Sequence, residues 1–108
     1  MSRFAVVLSA AGSEDEASRI ARGLVERRLA ACVNVLPGVS STYRWEAVVR
    51  TEAEWILVAK TRRDRFDAVR DAIRELHTYE LPEIVMIEVA DGEAGYLAWI
   101  DESLDAKS

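Results

Sequence analysis

The sequence has very little of the chemistry that disulfides and closed metal centres require. It contains one cysteine, Cys32, and one histidine, His77. A lone cysteine excludes a disulfide within the chain and suits a reducing compartment. A single histidine leaves a closed zinc site, which needs four strong ligands, short of nitrogen and sulfur donors. We therefore expect a cytoplasmic protein without a self-contained zinc centre.

Long apolar runs and an excess of positive charge are also missing. A membrane-spanning helix needs about 20 apolar residues. The run from Phe4 to Leu8 is far shorter and soon gives way to Gly12 and three acidic residues, which does not resemble a signal peptide. The net charge of −5 argues against a general nucleic-acid binder. The sequence therefore predicts no membrane and no nucleic-acid partner.

The common catalytic motifs are absent from the sequence. It has no G-x-x-x-x-G-K phosphate loop, no G-x-G-x-x-G fingerprint and no G-x-S-x-G nucleophile turn. Acylphosphatase-like catalysis needs an arginine in the loop after the first strand, and residues 9–13 contain none. These absences predict that the protein is not an enzyme.

The 108 residues fit one domain, spanning 1–108. The apolar run from Phe4 to Leu8 predicts a buried strand. Ser13 and Glu16 form a capping box, so a helix should begin there. The apolar stripe of this helix is predicted from residues at helical spacing: Ala17, Ile20, Ala21, Leu24 and Ala31.

The middle of the chain predicts a long hairpin. A strand begins near Val33, Pro37-Gly38 marks a turn or kink, and a strand-favouring segment follows to Trp45. Residues 47–50 continue toward a hairpin partner, and 52–61 form a further strand. Because the stretch from Cys32 to Lys60 exceeds two ordinary strands, its open edges favour pairing with a neighbouring chain.

The last third predicts a helix, a strand and a short final helix. Thr61 is the expected cap of the second helix, and Ile84–Ala90 is the expected last strand. The two helices carry apolar stripes formed by Phe66, Val69, Ala72, Ile73 and Leu76, and by Leu97, Ile100 and Leu104. The fold class is therefore α+β, a ferredoxin-like βαββαβ plait with a long β-hairpin and a C-terminal helix.

Three places could carry chemistry. The loop from His77 to Glu83 can form part of a divalent-cation site or relay protons, although a helix C-terminus also favours histidine. Glu52 and Glu54 share one strand face and could enter one cleft or simply meet solvent. Cys32 is either a soft-metal ligand or reactive thiol, or a small buried hydrophobic residue.

These motifs together resemble the CutA divalent-cation tolerance proteins. The resemblance runs from about Phe4 to Leu104. In the first half it consists of Ala31-Cys32-Val33-Asn34, Pro37-Gly38, Ser41, Tyr43 and Trp45. It continues with Glu52, Glu54, Lys60-Thr61, His77, Tyr79-Glu80, Pro82-Glu83 and Tyr96-Leu97-Ala98-Trp99-Ile100.

The resemblance implies a homotrimer similar in architecture to the PII signalling proteins, in which long hairpins pair between subunits. It implies tolerance of copper and other divalent cations, with copper or zinc bound at a cleft between subunits. The metal ligands that it implies are His77, Glu83 and Cys32. The other cleft residues are Glu52, Lys60 and Tyr79. The expected partner is the chain itself, and the identity of any other protein partner is unknown from the sequence.

The sequence departs from the family pattern at four positions. Thr78 stands where the family usually has proline, and Ala47 where it commonly has glycine. Ser9 and Leu76 stand where some members have a cysteine and a second histidine. Thiol and imidazole are the ligand types that copper prefers, so this chain offers copper fewer ligands.

Two further functions remain open at this point. A PII-like sensor of a small anionic ligand or a protein partner would rely on Lys60 and Arg62. A stable trimeric scaffold would need no ligand.

Overall fold

A computed structural model describes residues 2–106 of the chain. Within that range the strands are β1 (Phe4–Ala11), β2 (Cys32–Trp45), β3 (Val48–Arg62) and β4 (Val85–Glu88). The helices are α1 (Glu14–Glu26), α2 (Phe66–Leu76) and α3 (Ala94–Asp105). The strands form one antiparallel sheet in the order β2-β3-β1-β4. This order, with helices α1 and α2 as crossovers, confirms the ferredoxin-like plait and its added C-terminal helix.

Helix α1 begins where the capping box predicts. The Ser13 hydroxyl accepts a hydrogen bond from the Glu16 N–H at 3.2 Å. The helix ends at Glu26, because Arg28 takes a left-handed φ of 56° and the Leu29 N–H reaches back to the Leu24 carbonyl. The prediction that Ala31 belongs to the helical stripe is therefore wrong, since Ala31 lies after the helix.

The hairpin is longer and more continuous than predicted. Strands β2 and β3 contain 14 and 15 residues and are joined only by Glu46 and Ala47. Pro37-Gly38 does not end a strand: the register shifts between Leu36 and Val39, which marks a β-bulge. The separately predicted segments 47–50 and 52–61 belong to one strand, β3, because cross-strand pairing continues from Val48 onward. Only Ala47 falls outside it, in the turn.

Two predictions in the second half need correction. Thr61 lies inside β3 and does not cap α2; its hydroxyl donates to the Leu29 carbonyl at 2.6 Å. Arg65, the last residue of a short 3₁₀ turn (Arg63–Arg65), is the N-cap residue of α2. Its side chain makes no capping hydrogen bond with the described residues. The last strand is only Val85–Glu88, which is shorter than the predicted strand from Ile84 to Ala90. Only these four residues pair in register with β1.

The core lies mainly between one face of the sheet and helices α1 and α2. Its centre includes Val7, Ile20, Leu24, Leu57 and Ile73, each at most 1% exposed. A smaller cluster on the opposite sheet face joins Phe4 and Ala31 to α3, through Ile100 and Leu104. No helix among residues 2–106 is long and apolar enough to cross a membrane.

Helix α3 is held to the sheet by Arg62, which is 6% exposed. The guanidinium donates to Asp101 at 2.9 Å, to Asp105 at 2.8 Å and to Asp64 at 3.1 Å. Hydrogen bonding to Asp105 is the main reason why the pKa of Arg62 is raised, and the same contact lowers the pKa of Asp105. A buried cation is thus surrounded by carboxylates from two elements.

The sheet face opposite α1 and α2 is apolar beyond the reach of α3. Leu8 on this face pairs with Val58 on one side and Val85 on the other. Val85 and Ile87 of the edge strand are 48% and 49% exposed, and Leu36 on β2 is 45% exposed. Exposed apolar surface that continues across several strands is typical of a protein–protein interface.

Candidate functional site

An open cleft of about 910 Å³ lies where the hairpin meets the loop after α2. Strands β2 and β3 contribute Tyr43, Glu52 and Glu54. The loop contributes Tyr79 and Glu83. Glu52 and Glu54 are two residues apart on one strand, so they share a face, as the sequence predicts. The structure therefore brings three predicted residues, Glu52, Tyr79 and Glu83, to one cleft.

Tyr79 is fixed at both ends. Its hydroxyl donates to Oε2 of Glu54 at 3.0 Å, and its backbone N–H donates to Nδ1 of His77 at 3.0 Å. Its ring centroid lies 4.6 Å from that of His77. Burial, followed by the hydrogen bond to Glu54, raises the pKa of Tyr79 well above its ordinary value. The phenol therefore stays protonated at neutral pH and acts as a donor.

A second tyrosine–glutamate pair lies on the hairpin itself. The Tyr43 hydroxyl donates to Oε1 of Glu52. This bond raises the pKa of Tyr43, because the neighbouring carboxylate opposes a phenolate. Tyr43 is absent from the predicted site residues. Predicting a two-residue turn at Glu46 and Ala47 would have indicated Tyr43. That register pairs Tyr43 with Arg50, and Glu52 lies two residues further along the same strand face.

His77 lies beside Tyr79 and has both ring nitrogens engaged. The imidazole is fully buried. Nε2 lies 2.5 Å from the Ala10 carbonyl oxygen, which can only accept, so Nε2 carries the proton. Nδ1 accepts from the Tyr79 N–H. In this arrangement neither nitrogen has a lone pair free for a metal.

Cys32 and Lys60 lie elsewhere on the sheet. They face each other across β2 and β3, and the Lys60 ammonium donates to the Asn34 side chain. Ala10, which contacts His77, pairs with Ile56, four residues along β3 from Lys60. Four residues of strand span roughly 13 Å. The structure therefore does not bring Cys32 or Lys60 to the cleft that contains Tyr79.

The cleft offers oxygen donors without a complete ligand set. Among residues 2–106, no three side chains of the histidine, cysteine or acidic types are grouped closely enough to hold a metal ion. Glu52 and Glu54 each keep carboxylate oxygen lone pairs beyond those used by the tyrosines. A cation bound here would need further ligands from a neighbouring molecule or from water.

Known proteins match the chain along nearly its whole length. Residues 5–103 match the family described as CutA1 divalent ion tolerance protein. The chain is 44% identical over 98 residues to the divalent-cation tolerance protein CutA of Thermus thermophilus, covering 91% of this chain and 95% of that one. It is 36% identical over 98 residues to the chloroplastic protein CutA 1 of Oryza sativa subsp. japonica, covering 91% of this chain but 55% of the rice protein.

The fold agrees with this sequence similarity. The crystal structure of CutA from Xylella fastidiosa superimposes with a TM-score of 0.94 at 38% identity, covering 96% of this chain and 100% of that one. The matched region runs from β1 into α3 and includes the hairpin and the loop that together form the cleft. On the sequence match and the shared fold, the chain belongs to the CutA1 divalent ion tolerance protein family.

Proposed function

We propose that the protein acts in divalent-cation tolerance as a homotrimer that binds a divalent cation at the cleft, completed by a neighbouring subunit. The observation that carries the proposal is an acidic cleft whose ligand set is incomplete within one chain, among the described residues. A second subunit beside the hairpin would supply the missing donors. The family description names ion tolerance, so the proposal assigns binding and no reaction.

Two surfaces support self-association. The first is the apolar sheet face with Leu36, Val85 and Ile87 exposed. The second is the outer half of the hairpin, where β2 is an edge strand with unpaired backbone groups. Both surfaces belong to the same sheet, so a neighbouring copy can cover the apolar face while its own hairpin pairs with an edge. A closed ring of three satisfies every copy equally.

The donors on the cleft wall determine which cation fits. Glu52, Glu54 and Glu83 provide hard oxygen ligands, which suit Mg²⁺ and Mn²⁺. Copper and zinc bind better with imidazole or thiolate. His77 could serve only by giving up its bond with Ala10 or Tyr79, and Cys32 would have to come from another subunit. We therefore expect Mn²⁺ to bind at the carboxylates and copper to bind only if His77 is released.

Calorimetric titration of the purified protein with Mn²⁺, Zn²⁺ and Cu²⁺ tests the proposal, with mass measured by light scattering on the same sample. We expect a trimer that binds Mn²⁺ saturably, near one ion per chain. Glu54→Gln should lower the affinity by at least about tenfold, equivalent to about 1.4 kcal/mol. Glu26→Gln removes an exposed charge from α1 and is the matched control.

A titration in which Glu54→Gln and Glu26→Gln bind alike would contradict the carboxylate site. If His77→Ala instead abolishes Cu²⁺ binding, the nitrogen-based site implied by the family resemblance is the correct one. A monomer at working concentrations would contradict the shared cleft.

The sensor of a small anionic ligand is less well supported. Its two expected cations are already engaged, because Lys60 donates to Asn34 and Arg62 is surrounded by three aspartates. An anion would have to displace these partners. The proposal also keeps a reducing, cytoplasmic compartment, which the single cysteine suggests, although the rice relative is named as chloroplastic.

A further inference from the structure

One buried carboxylate is used neither by the helix cap nor by the proposed cation site. Glu16 lies in the first turn of α1 and is only 5% exposed. Its Oε2 accepts hydrogen bonds from the hydroxyl and, at 3.2 Å, from the backbone N–H of Thr78. Its Oε1 lies 3.5 Å from Nδ1 of His77 and has no hydrogen-bond partner among residues 2–106. A complete capping box would instead have bonded this side chain to the backbone N–H of Ser13.

Burying a carboxylate is unfavourable unless its charge is compensated. Here the compensation comes from the α1 N-terminus, from Arg19 at 3.8 Å and from the two Thr78 donors. Thr78 belongs to the loop after α2, so the contact joins residues 62 positions apart in sequence. A proline at position 78 would offer neither donor, so the contact depends on a residue at this position that has both a backbone N–H and a hydroxyl.

The contact continues directly into the cleft. Thr78 lies between His77 and Tyr79 in the sequence. His77 is held by Ala10, and the Tyr79 N–H is held by His77. Because Glu16 holds Thr78, all three of these loop residues have a hydrogen-bond partner. The Tyr79 hydroxyl then reaches Glu54.

We propose that Glu16 is a positioning residue of the cleft, which holds Thr78 so that Tyr79 stays bonded to Glu54 and the loop with Glu83 keeps its place. The consequence for cation affinity rests on the proposed function. The consequence for Tyr79 does not, because it follows from contacts within one chain.

Glu16→Ala tests the proposal, beside Glu16→Gln and the matched control Glu14→Ala. Glutamine keeps an oxygen for Thr78. Glu14 is exposed in the same first turn, so its removal changes the helix charge equally. The first readout is the NMR spectrum of ring-labelled tyrosine in the full trimer, with the Tyr79 signal assigned from Tyr79→Phe. The second is the Mn²⁺ affinity.

We expect Glu16→Ala to shift the Tyr79 signal toward that of a solvent-exposed tyrosine. We also expect it to lower Mn²⁺ affinity about tenfold, which is typical when a residue that orients metal ligands is removed. Glu16→Gln and Glu14→Ala should leave both near the wild-type values. A role limited to helix stability would lower the melting temperature and leave the Tyr79 signal of the folded protein unchanged. That result would overturn the proposal.

A second pair of variants covers the case in which Glu16→Ala does not fold. Thr78→Val removes the hydroxyl donor and keeps the N–H, and Thr78→Ser keeps both. We expect Thr78→Val to move the Tyr79 signal in the same direction as Glu16→Ala, and Thr78→Ser to restore it. Equal signals in the two variants would contradict the proposal. If the wild type binds no cation, the proposed function fails, but the Tyr79 signal still decides the role of Glu16.

Discussion

The hydroxyl of Tyr79 lies 3.0 Å from Oε2 of Glu54, which ties the loop after α2 to the outer half of the hairpin. The two residues are 25 positions apart, Glu54 on β3 and Tyr79 in the loop between α2 and β4. This hydrogen bond joins two of the elements that line the cleft. Its geometry depends on what lies beneath the tyrosine ring.

Gly12 is the residue that leaves room for this bond. A Cβ added at Gly12 would lie 2.8 Å from the Tyr79 hydroxyl oxygen. We expect Gly12→Ala to displace the end of the tyrosine side chain, to break its bond with Glu54 and to lower the free energy of unfolding by about 1 kcal/mol. Chemical denaturation measures the change.

The background variant Tyr79→Ala is the control for Gly12→Ala. Once the ring is gone, the added methyl group has nothing to displace, so Gly12→Ala should then change stability very little. An equal loss in both backgrounds would show that the cost at Gly12 comes from the backbone and not from Tyr79.

The hairpin turn carries backbone strain that glycine would relieve. Glu46 and Ala47 have φ of 50° and 65°, the left-handed region that a two-residue type I′ turn requires and that glycine favours. We expect Ala47→Gly to raise the free energy of unfolding by about 0.5–1 kcal/mol. Ala53→Gly, in the exposed middle of β3, should lower it by a similar amount. Destabilisation by both variants would contradict the strained turn.

The ion pairs of Arg62 with Asp101 and Asp105 make the free energy of unfolding depend on pH in the acid range. The hydrogen bond from Arg62 lowers the pKa of Asp105 below its ordinary value of 3.8. A carboxyl group whose pKa is lower in the folded protein stabilises the fold at pH values above its ordinary pKa. This contribution is lost as the pH falls through the folded-state pKa. Asp105→Asn should therefore flatten the fall in unfolding free energy below about pH 4. Asp91→Asn, in the loop before α3, should keep the wild-type slope, and equal flattening in both would contradict this origin.

The apolar sheet face predicts where assembly can be broken. Ile87 is 49% exposed on the edge strand of that face, and Val25 is 42% exposed on α1. If this face is a contact of the proposed trimer, we expect Ile87→Lys to give a monomer in light scattering, because the lysine would lose its hydration there. Val25→Lys places the same charge on the helical side and should remain a trimer. A trimeric Ile87→Lys protein would mean that another surface assembles the chain.

Much of the fold could be predicted because local patterns agree with it. The Ser13 cap, the apolar stripe of α2 and the βαββαβ order all follow from short-range rules. Thr61 and Ala31 were assigned wrongly for one reason. Threonine is a common helix cap and alanine a good helix former, so the local pattern favours those roles. In the structure the Thr61 hydroxyl donates to Leu29, and Ala31 packs with residues of α3.

The site could be predicted only in part, since side-chain partners are not visible in spacing. His77 looked free to bind a metal, yet Ala10 and the Tyr79 N–H occupy both of its nitrogens. Glu16 looked like half of a capping box, yet it bonds to Thr78 across the fold. Long-range hydrogen bonds of this kind depend on the packed structure and leave no periodic signal.

The most direct test of the account is the anomalous difference map of crystals grown with Mn²⁺. We predict a peak in the cleft within about 2.2 Å of a carboxylate oxygen of Glu52, Glu54 or Glu83, with at least one further ligand from a neighbouring subunit. A peak confined to lattice contacts, or a cleft without a peak at a saturating Mn²⁺ concentration, would contradict the central claim that this cleft binds a divalent cation.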